Sequence, residues 1–388
     1  MPAANKMVFD VIVVGVGSMG ASACWQLAKR GVKVLGLEQG PLPNPMASFA
    51  GSTRAIRLSY TEHPDYVPLL RGAYKLWDEL GEATGCEYLK RTGAVYLGPP
   101  DGYLVGGAKQ SAEEHGLKHT IYSADELRER WPQFQLPDGF VGMHEEEGGY
   151  VYSEQSVAAY ADLALREGAE LRGHEPVTDW RTEDGGVVVR TERGEYHAGH
   201  VVFTTGAWSG KLLQQLGVEL TVTRAVPCWT WPREPELFTE DRFPVWMADA
   251  DKGAVYYGFP LTPDGSGGVG LKAALHFPSR ETDPDTVVRE PEPGEEEEVR
   301  GGLRRFVPGG DGLLLSQRVC LYHNTPDGHF IVDRHPECDR VIMACGFCGH
   351  GFKFASVMGA VLADLATEGK TDWPIGFLGL SRFSESRA

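Results

Sequence analysis

Residues 9–40 read FDVIVVGVGSMGASACWQLAKRGVKVLGLEQG. Positions 9–14 have the apolar, β-branched run of a parallel strand buried on both faces. Gly15, Gly17 and Gly20 follow in a G-x-G-x-x-G turn. Residues 18–30 carry helical periodicity, and VKVLGLE is a second strand closed by Glu38, 18 residues after Gly20. Strand, glycine turn, helix, strand and terminal acid together make the βαβ opening of a dinucleotide-binding fold. The glycines let the backbone approach a pyrophosphate, the helix N-terminus offers it free N–H groups, and Glu38 is placed to accept hydrogen bonds from a ribose.

Outward from this unit, Val67, Leu70, Tyr74 and Trp77 mark one face of an amphipathic helix over 63–84, and GAVYLGPP predicts a strand. Short helices are expected over 106–116 and 123–130. Residues 148–171 read as strand, turn and helix. Residues 185–213 read as two strands and a Gly206 turn into a helix, a second corner suited to a nucleotide. The stretch 221–277 is strand-rich, with GAVYYGFP and GVGLKAALHF flanking an LTPDGSGG turn as a hairpin. Residues 292–308 are acidic first and basic later, which matches a helix dipole. RVIMAC, GFCGHG and FKFASVMGAVLADLATEG close the chain as strand, loop and helix. The expected architecture is α/β (α+β), a Rossmann-type domain over 1–87, 150–218 and 319–388. It is interrupted by a β-rich substrate domain over 88–149 and 219–318.

With 388 residues, 42% of them hydrophobic, the chain can bury a substantial core. It has no apolar run long enough for a membrane helix. A formal charge of −17 argues against nucleic acid and anionic membranes as partners. Seven scattered cysteines, no secretory pattern at the N-terminus and no peroxisomal signal at the C-terminus point to the reducing cytoplasm.

Several side chains stand out chemically. Lys272, Ala274 and His276 share one face of the second hairpin strand, either a solvent face or a cationic wall over a cofactor. Lys353 opens the last helix, where a cation opposes the dipole, so either an anion lies near it or it reaches out to water. Arg54 and Arg57 in GSTRAIR are either surface arginines or anchors for a carboxylate. Cys345 and Cys348 form a lone C-x-x-C with no second pair spaced for zinc, and no metal site is expected.

The chain resembles the sarcosine oxidase and N-methyltryptophan oxidase family of covalent flavoproteins nearly end to end. FDVIVVGVGSMG, STRAIR, YVPLLR, YYGFP, GLKAALH, CLYHNTPDGHFIVDRHP and GFCGHGFKF carry the resemblance, the last two most specifically. It implies FAD joined through the sulfur of Cys320 to the flavin 8α-methyl carbon. Tyr322 would be part of the active-site wall, Lys272 the cation that activates oxygen, and Arg57 with Lys353 the clamp on a substrate carboxylate. His276 and Tyr256 would line the amine side. Gly15, Gly17, Ser18, Met19, Gly20, Glu38, Ser52, Thr53, Arg54, Val177, Gly206, Gly346, Gly349, His350, Gly351, Phe352 and Lys353 would lie along the cofactor. The chain departs from the family at Ser48-Phe49-Ala50, where histidine is expected, at Cys345 and Cys348, and in a longer hairpin turn.

The activity so implied is oxidation of a small N-methyl amino acid, sarcosine first, by a monomer that gives glycine, formaldehyde and hydrogen peroxide. Alternatives are an oxidase of another N-alkyl or cyclic secondary amino acid, or a flavin dehydrogenase with a different acceptor. A redox-dependent binding module would not need so many convergent polar groups. A nicotinamide dehydrogenase would have no use for the Cys320 motif.

Overall fold

The computed structural model describes residues 8–385 except 184, 214–215, 251–252, 263–267 and 279. Most of the hairpin turn between 261 and 268 therefore lies outside the described residues. The opening strand, Val8–Val14, pairs in parallel with Val34–Leu37 on one side and Gly194–Phe203 on the other. The sheet continues outward through Glu170–Arg172 at one end and the antiparallel pair Gly186–Thr191 and Val177–Glu183 at the other. Cys338–Cys345 also joins Gly194–Phe203 in parallel and is paired in turn with Ile331–His335.

Alternation along Val8–Val14 explains why the strand is apolar throughout. Val11 and Val13 face a helical layer that includes Trp25, Leu27, Trp77 and Met358, while Ile12 and Val14 face a second core with Leu35, Val189 and Met343. The helix Ser18–Ala28 packs closely on Ala355–Glu368, and this contact uses small residues: a Cβ on Gly359 would lie 2.1 Å from the Ser22 hydroxyl.

A second sheet runs in the order Leu313–Gln317, Cys228–Trp231, Leu271–His276, Val255–Gly258, Val245–Asp249, Ala94–Gly98, Val141–Glu145 and Thr120–Tyr122. The expected hairpin is present, with Val255 opposite His276 and Tyr257 opposite Ala274. Two small sheets lie outside these large ones. Thr53–Ile56 pairs with Gly149–Tyr152, and Cys320–Asn324 pairs with Thr221–Ala225. Among the described residues no helix is long and apolar enough to cross a membrane.

Several boundaries differ from the periodicity reading, among them the amphipathic helix that begins at Tyr66 rather than 63, and two of them bear on the cavity. The third helix begins at Tyr103 rather than 106, because the Asp249 carboxylate accepts a hydrogen bond from the Leu104 N–H at 3.1 Å and secures that first turn. At the other end of the chain, Phe352–Phe354 is a 3₁₀ turn and the α-helix starts at Ala355. Lys353 thus stands one turn ahead of the helix, where its ammonium donates to the His350 carbonyl at 2.7 Å.

The glycine turn is a packing constraint as well as a binding loop. A Cβ on Gly20 would sit 1.9 Å from the Gly15 carbonyl oxygen and 2.6 Å from the Thr204 hydroxyl. Gly20→Ala should therefore push the first helix off its strand, lowering stability by about 1–3 kcal/mol. The midpoint of denaturant unfolding measures this; an unchanged midpoint would show that the turn relaxes without cost.

Candidate active site

A cavity of about 460 Å³ runs between the two large sheets, from the glycine turn to Lys353. Its first end is built as the βαβ unit requires. Gly15, Gly17, Ser18, Met19 and Glu38 line it, opposite Val177 and Gly206. The first helix starts at Gly17 without a side-chain cap, so its first-turn N–H groups are left for an anion. The buried Glu38 carboxylate is held in place by the N–H groups of Val16 and Gly40, each at 3.0 Å, and by the Asn44 amide at 2.9 Å. A buried acid fixed in this way beside a capless helix fits a ribose and pyrophosphate, and hence the adenosine diphosphate half of FAD.

In the middle, Ser48, Phe49 and Arg54 form one wall, backed by the rest of the loop 48–53. Glu154 grips it by accepting from the N–H groups of Gly51 at 2.7 Å and Ser52 at 2.8 Å. Arg54 donates to the carbonyls of Ala50 at 2.6 Å and Ser48 at 2.9 Å, and the Cys320 thiol lies 3.4 Å from the same Ala50 oxygen. Facing this loop is Lys272, only 2% exposed. Its ammonium donates to the carbonyls of Gly51 at 2.7 Å and Thr53 at 2.6 Å, and lies over the rings of Phe259 and Trp229. Burial, with Arg54 nearby, pushes the Lys272 pKa well down, while the carbonyls and ring faces favour the charged form. Cys320 is also within electrostatic reach of Lys272 and Arg289.

The far end is a cluster of buried charges. One Arg57 nitrogen donates to both Glu62 oxygens at 2.9 Å, and the guanidinium lies 4.5 Å over the Tyr60 ring. Burial raises the Glu62 pKa, but Arg57, His350 and Lys353 outweigh it and hold the carboxyl well below its usual range. Lys353 is pushed down to about 7, by burial first and then by Arg57. His276 falls to about 3 and His350 to about 4, again by burial first, so both imidazoles are neutral at neutral pH. His276 Nδ1 lies 3.2 Å from the Tyr322 hydroxyl, itself 3.5 Å from that of Tyr257. Tyr322 fits only because its neighbour is a glycine: a Cβ on Gly349 would be 2.0 Å from the ring.

The cavity thus gathers Lys272, His276, Arg57, Lys353, Tyr322, Cys320, Arg54, Gly349, His350, Gly351 and Phe352 on its walls. Five expected residues are not on those walls. Tyr256 is turned to the opposite face of its strand, against Gly302 and Phe306, because neighbouring residues of a strand point to opposite sides. Tyr257 takes the place expected for it. Gly20 packs behind the glycine turn, and Thr53 contributes its carbonyl to Lys272. Ser52 is held by Glu154, and the Gly346 N–H donates to His323 Nε2 at 2.9 Å. The sequence reading also missed Glu62. Its signal was a carboxylate five residues beyond Arg57, within the same aromatic-rich turn.

A match to the FAD dependent oxidoreductase family spans residues 10–365. The chain is 40% identical over 385 residues to the monomeric sarcosine oxidase of Streptomyces avermitilis, covering 98% of this chain and 99% of that one. It is 33% identical over 380 residues to an N-methyl-L-tryptophan oxidase of Escherichia coli, covering 97% and 100%. The solved structure of NikD, an amino acid oxidase essential for nikkomycin biosynthesis, superposes with a TM-score of 0.82 at 26% identity, covering 96% of this chain and 98% of that chain.

Lys353 gives the site a pH dependence of definite sign. Below about 7 its ammonium is charged and can pair with a carboxylate; above that value it is neutral, while Arg57 stays charged throughout. Acetate affinity, followed by protein fluorescence on either side of that value, should weaken as pH rises. Lys353→Met should flatten the profile, and a wild-type profile already flat would remove Lys353 from the clamp.

Proposed function

Because the chain belongs to the FAD dependent oxidoreductase family, we propose that it is an FAD-dependent oxidase of small secondary N-methyl amino acids, with sarcosine the first substrate to test. The overall reaction takes sarcosine, oxygen and water to glycine, formaldehyde and hydrogen peroxide. The observation that carries this reading is that two buried cations, Arg57 and Lys353, stand at the far end of the same cavity whose middle is lined by Lys272 and Cys320.

FAD, when bound, supplies the two-electron acceptor. The glycine turn and Glu38 would hold its adenosine diphosphate, and Cys320 would tether it. The rest of the work falls to side chains. Arg57 and Lys353 receive the substrate carboxylate, and the Arg57 fork is the better fit to a planar anion. Since Glu62 already occupies that fork, the incoming carboxylate has to share or displace it. The neutral His276, Tyr322 and Tyr257 then surround the amine end without adding a charge that would hold the amine protonated. Desolvation and the nearby Arg57 and Lys353 cations favour the neutral amine, the form with a lone pair to give. Lys272, across the cavity and with no carboxylate hydrogen-bonded to it among the described residues, is suited to stabilise negative charge that develops on oxygen. We read the enzyme as a monomer.

Purified protein given sarcosine without oxygen should lose its yellow colour, and with oxygen should yield one peroxide per turnover. Lys272→Met should slow the oxygen step by about 10²–10³-fold, the effect typical of losing one preorganised charge donor. An oxygen rate that survives the substitution would remove Lys272 from this role, and colour that no secondary amino acid bleaches would end the oxidase reading.

The tether has its own assay. After acid precipitation the wild-type colour should stay with the pellet, and with Cys320→Ser it should pass to the supernatant. Wild-type colour in the supernatant would show that no covalent bond forms.

A further inference from the structure

Besides His276 and His350, a third imidazole lines the cavity, that of His323, which is only 5% exposed. It lies on the strand Cys320–Asn324, three residues after Cys320. Both its backbone and its ring are braced by the loop that leads to the last helix. The Cys348 N–H donates to the His323 carbonyl at 2.9 Å, and the Gly346 N–H donates to ring Nε2 at 2.9 Å. Gly346 leaves the strand Cys338–Cys345 at φ +66°, in the left-handed region open to glycine.

This brace fixes the tautomer. Burial, with no charged neighbour contributing, pushes the His323 pKa down to about 4, so the ring is neutral at neutral pH. A neutral imidazole has one proton, and the nitrogen that accepts an N–H cannot carry it. The proton is therefore on Nδ1. That Nδ1–H has no hydrogen-bond partner among the described residues, whereas His350 has both ring nitrogens engaged, by Tyr60 and by the Gly328 carbonyl. A buried donor left unmatched is costly, so its partner is expected from what fills the cavity.

Strand alternation narrows the identity of that partner. Cys320 and Tyr322 turn to one side of their strand, Leu321 and His323 to the other. On that other side Val222, paired with His323, packs with Leu321 against Ala207 of the Gly206 turn. A cofactor stretched from the glycine turn and the Gly206 corner to Cys320 thus passes the His323 side of the strand. The part of FAD between those ends is the ribityl chain and the flavin ring.

We propose that the His323 Nδ1–H is a hydrogen-bond donor to the flavin half of FAD, held in position by the Gly346 brace. Its acceptor is a neutral oxygen, a ribityl hydroxyl or a pyrimidine carbonyl. A neutral donor adds no charge to a cavity that already holds Arg54, Lys272, Arg57 and Lys353. This deepens the oxidase reading and rests on its FAD.

Two substitutions separate the donor from the brace. His323→Gln still offers a carbonyl to the Gly346 N–H but carries no N–H at the Nδ1 position. His323→Asn keeps an amide N–H there and is too short to reach Gly346. Each is made in Cys320→Ser protein, so that FAD is held without a covalent bond, and the FAD dissociation constant is read by ultrafiltration. His323→Gln should raise it about ten-fold, the effect of losing one hydrogen bond, and His323→Asn should stay within about three-fold of the parent. With Cys320 restored, the midpoint potential of the bound flavin tells the two acceptors apart. A pyrimidine carbonyl gathers negative charge on reduction, so His323→Gln should lower the potential by about 30 mV, a ten-fold change in a two-electron equilibrium. A ribityl hydroxyl as acceptor leaves the potential unmoved while the dissociation constant still rises. FAD held equally by the parent and both variants, or lost equally from both variants, would overturn the donor, the second result by assigning His323 to the loop alone. A parent protein that takes up no FAD would overturn the flavoprotein reading and the donor together.

Discussion

The arrangement of the active-site end depends on one buried ion pair. Arg57 and Glu62 meet through two hydrogen bonds of 2.9 Å, with both side chains almost wholly removed from water. Two charges in such a place cost several kcal/mol each in lost hydration, and only close geometry and further partners recover it. Those partners are present. The Tyr60 ring lies under the guanidinium, the Ser59 carbonyl accepts from it at 3.3 Å, and Lys353 and His350 face the carboxylate. Removing Glu62 would leave Arg57 and Lys353 as adjacent cations in a dry pocket.

The second determinant is strand register. The hairpin pairing sets Lys272, Ala274 and His276 on the cavity face and brings Tyr257 to the same side. A shift of one residue would send all of them to the other face and bring Leu271, Ala273 and Tyr256 inward. The register is fixed by what those other residues bury: Leu271 and Ala273 pack with Trp246, Leu303 and Phe306 in a separate core. Packing on the far side of the sheet therefore positions the chemistry on the near side.

Much of this was legible in the sequence, for reasons that differ from place to place. The βαβ opening could be read because its glycines answer local needs, and the strand alternation that put Lys272 beside His276 is a local rule too. The match of motifs such as CLYHNTPDGHFIVDRHP and GFCGHGFKF to a family supplied the flavin. Tyr256 was misplaced because a Tyr-Tyr pair offers both faces and only the register across to Ala274 decides between them. Glu62 went unnoticed because its meaning depends on a turn that folds it back onto Arg57.

Lys272 has a further consequence. Its ammonium is solvated by peptide dipoles and ring faces, whereas Arg57 is matched to an anion. Those dipoles point their negative ends at the ammonium and offset part of its charge, with Glu154 adding to this at longer range, so the cavity meets the remainder of its field rather than a neutralised pair. The peptide oxygens that hold it belong to the loop gripped by Glu154, whereas its own backbone belongs to the other large sheet. The same contact that aims this charge also ties the loop 48–53 to the sheet that carries Lys272, so any movement of one against the other would turn the ammonium away from the cavity.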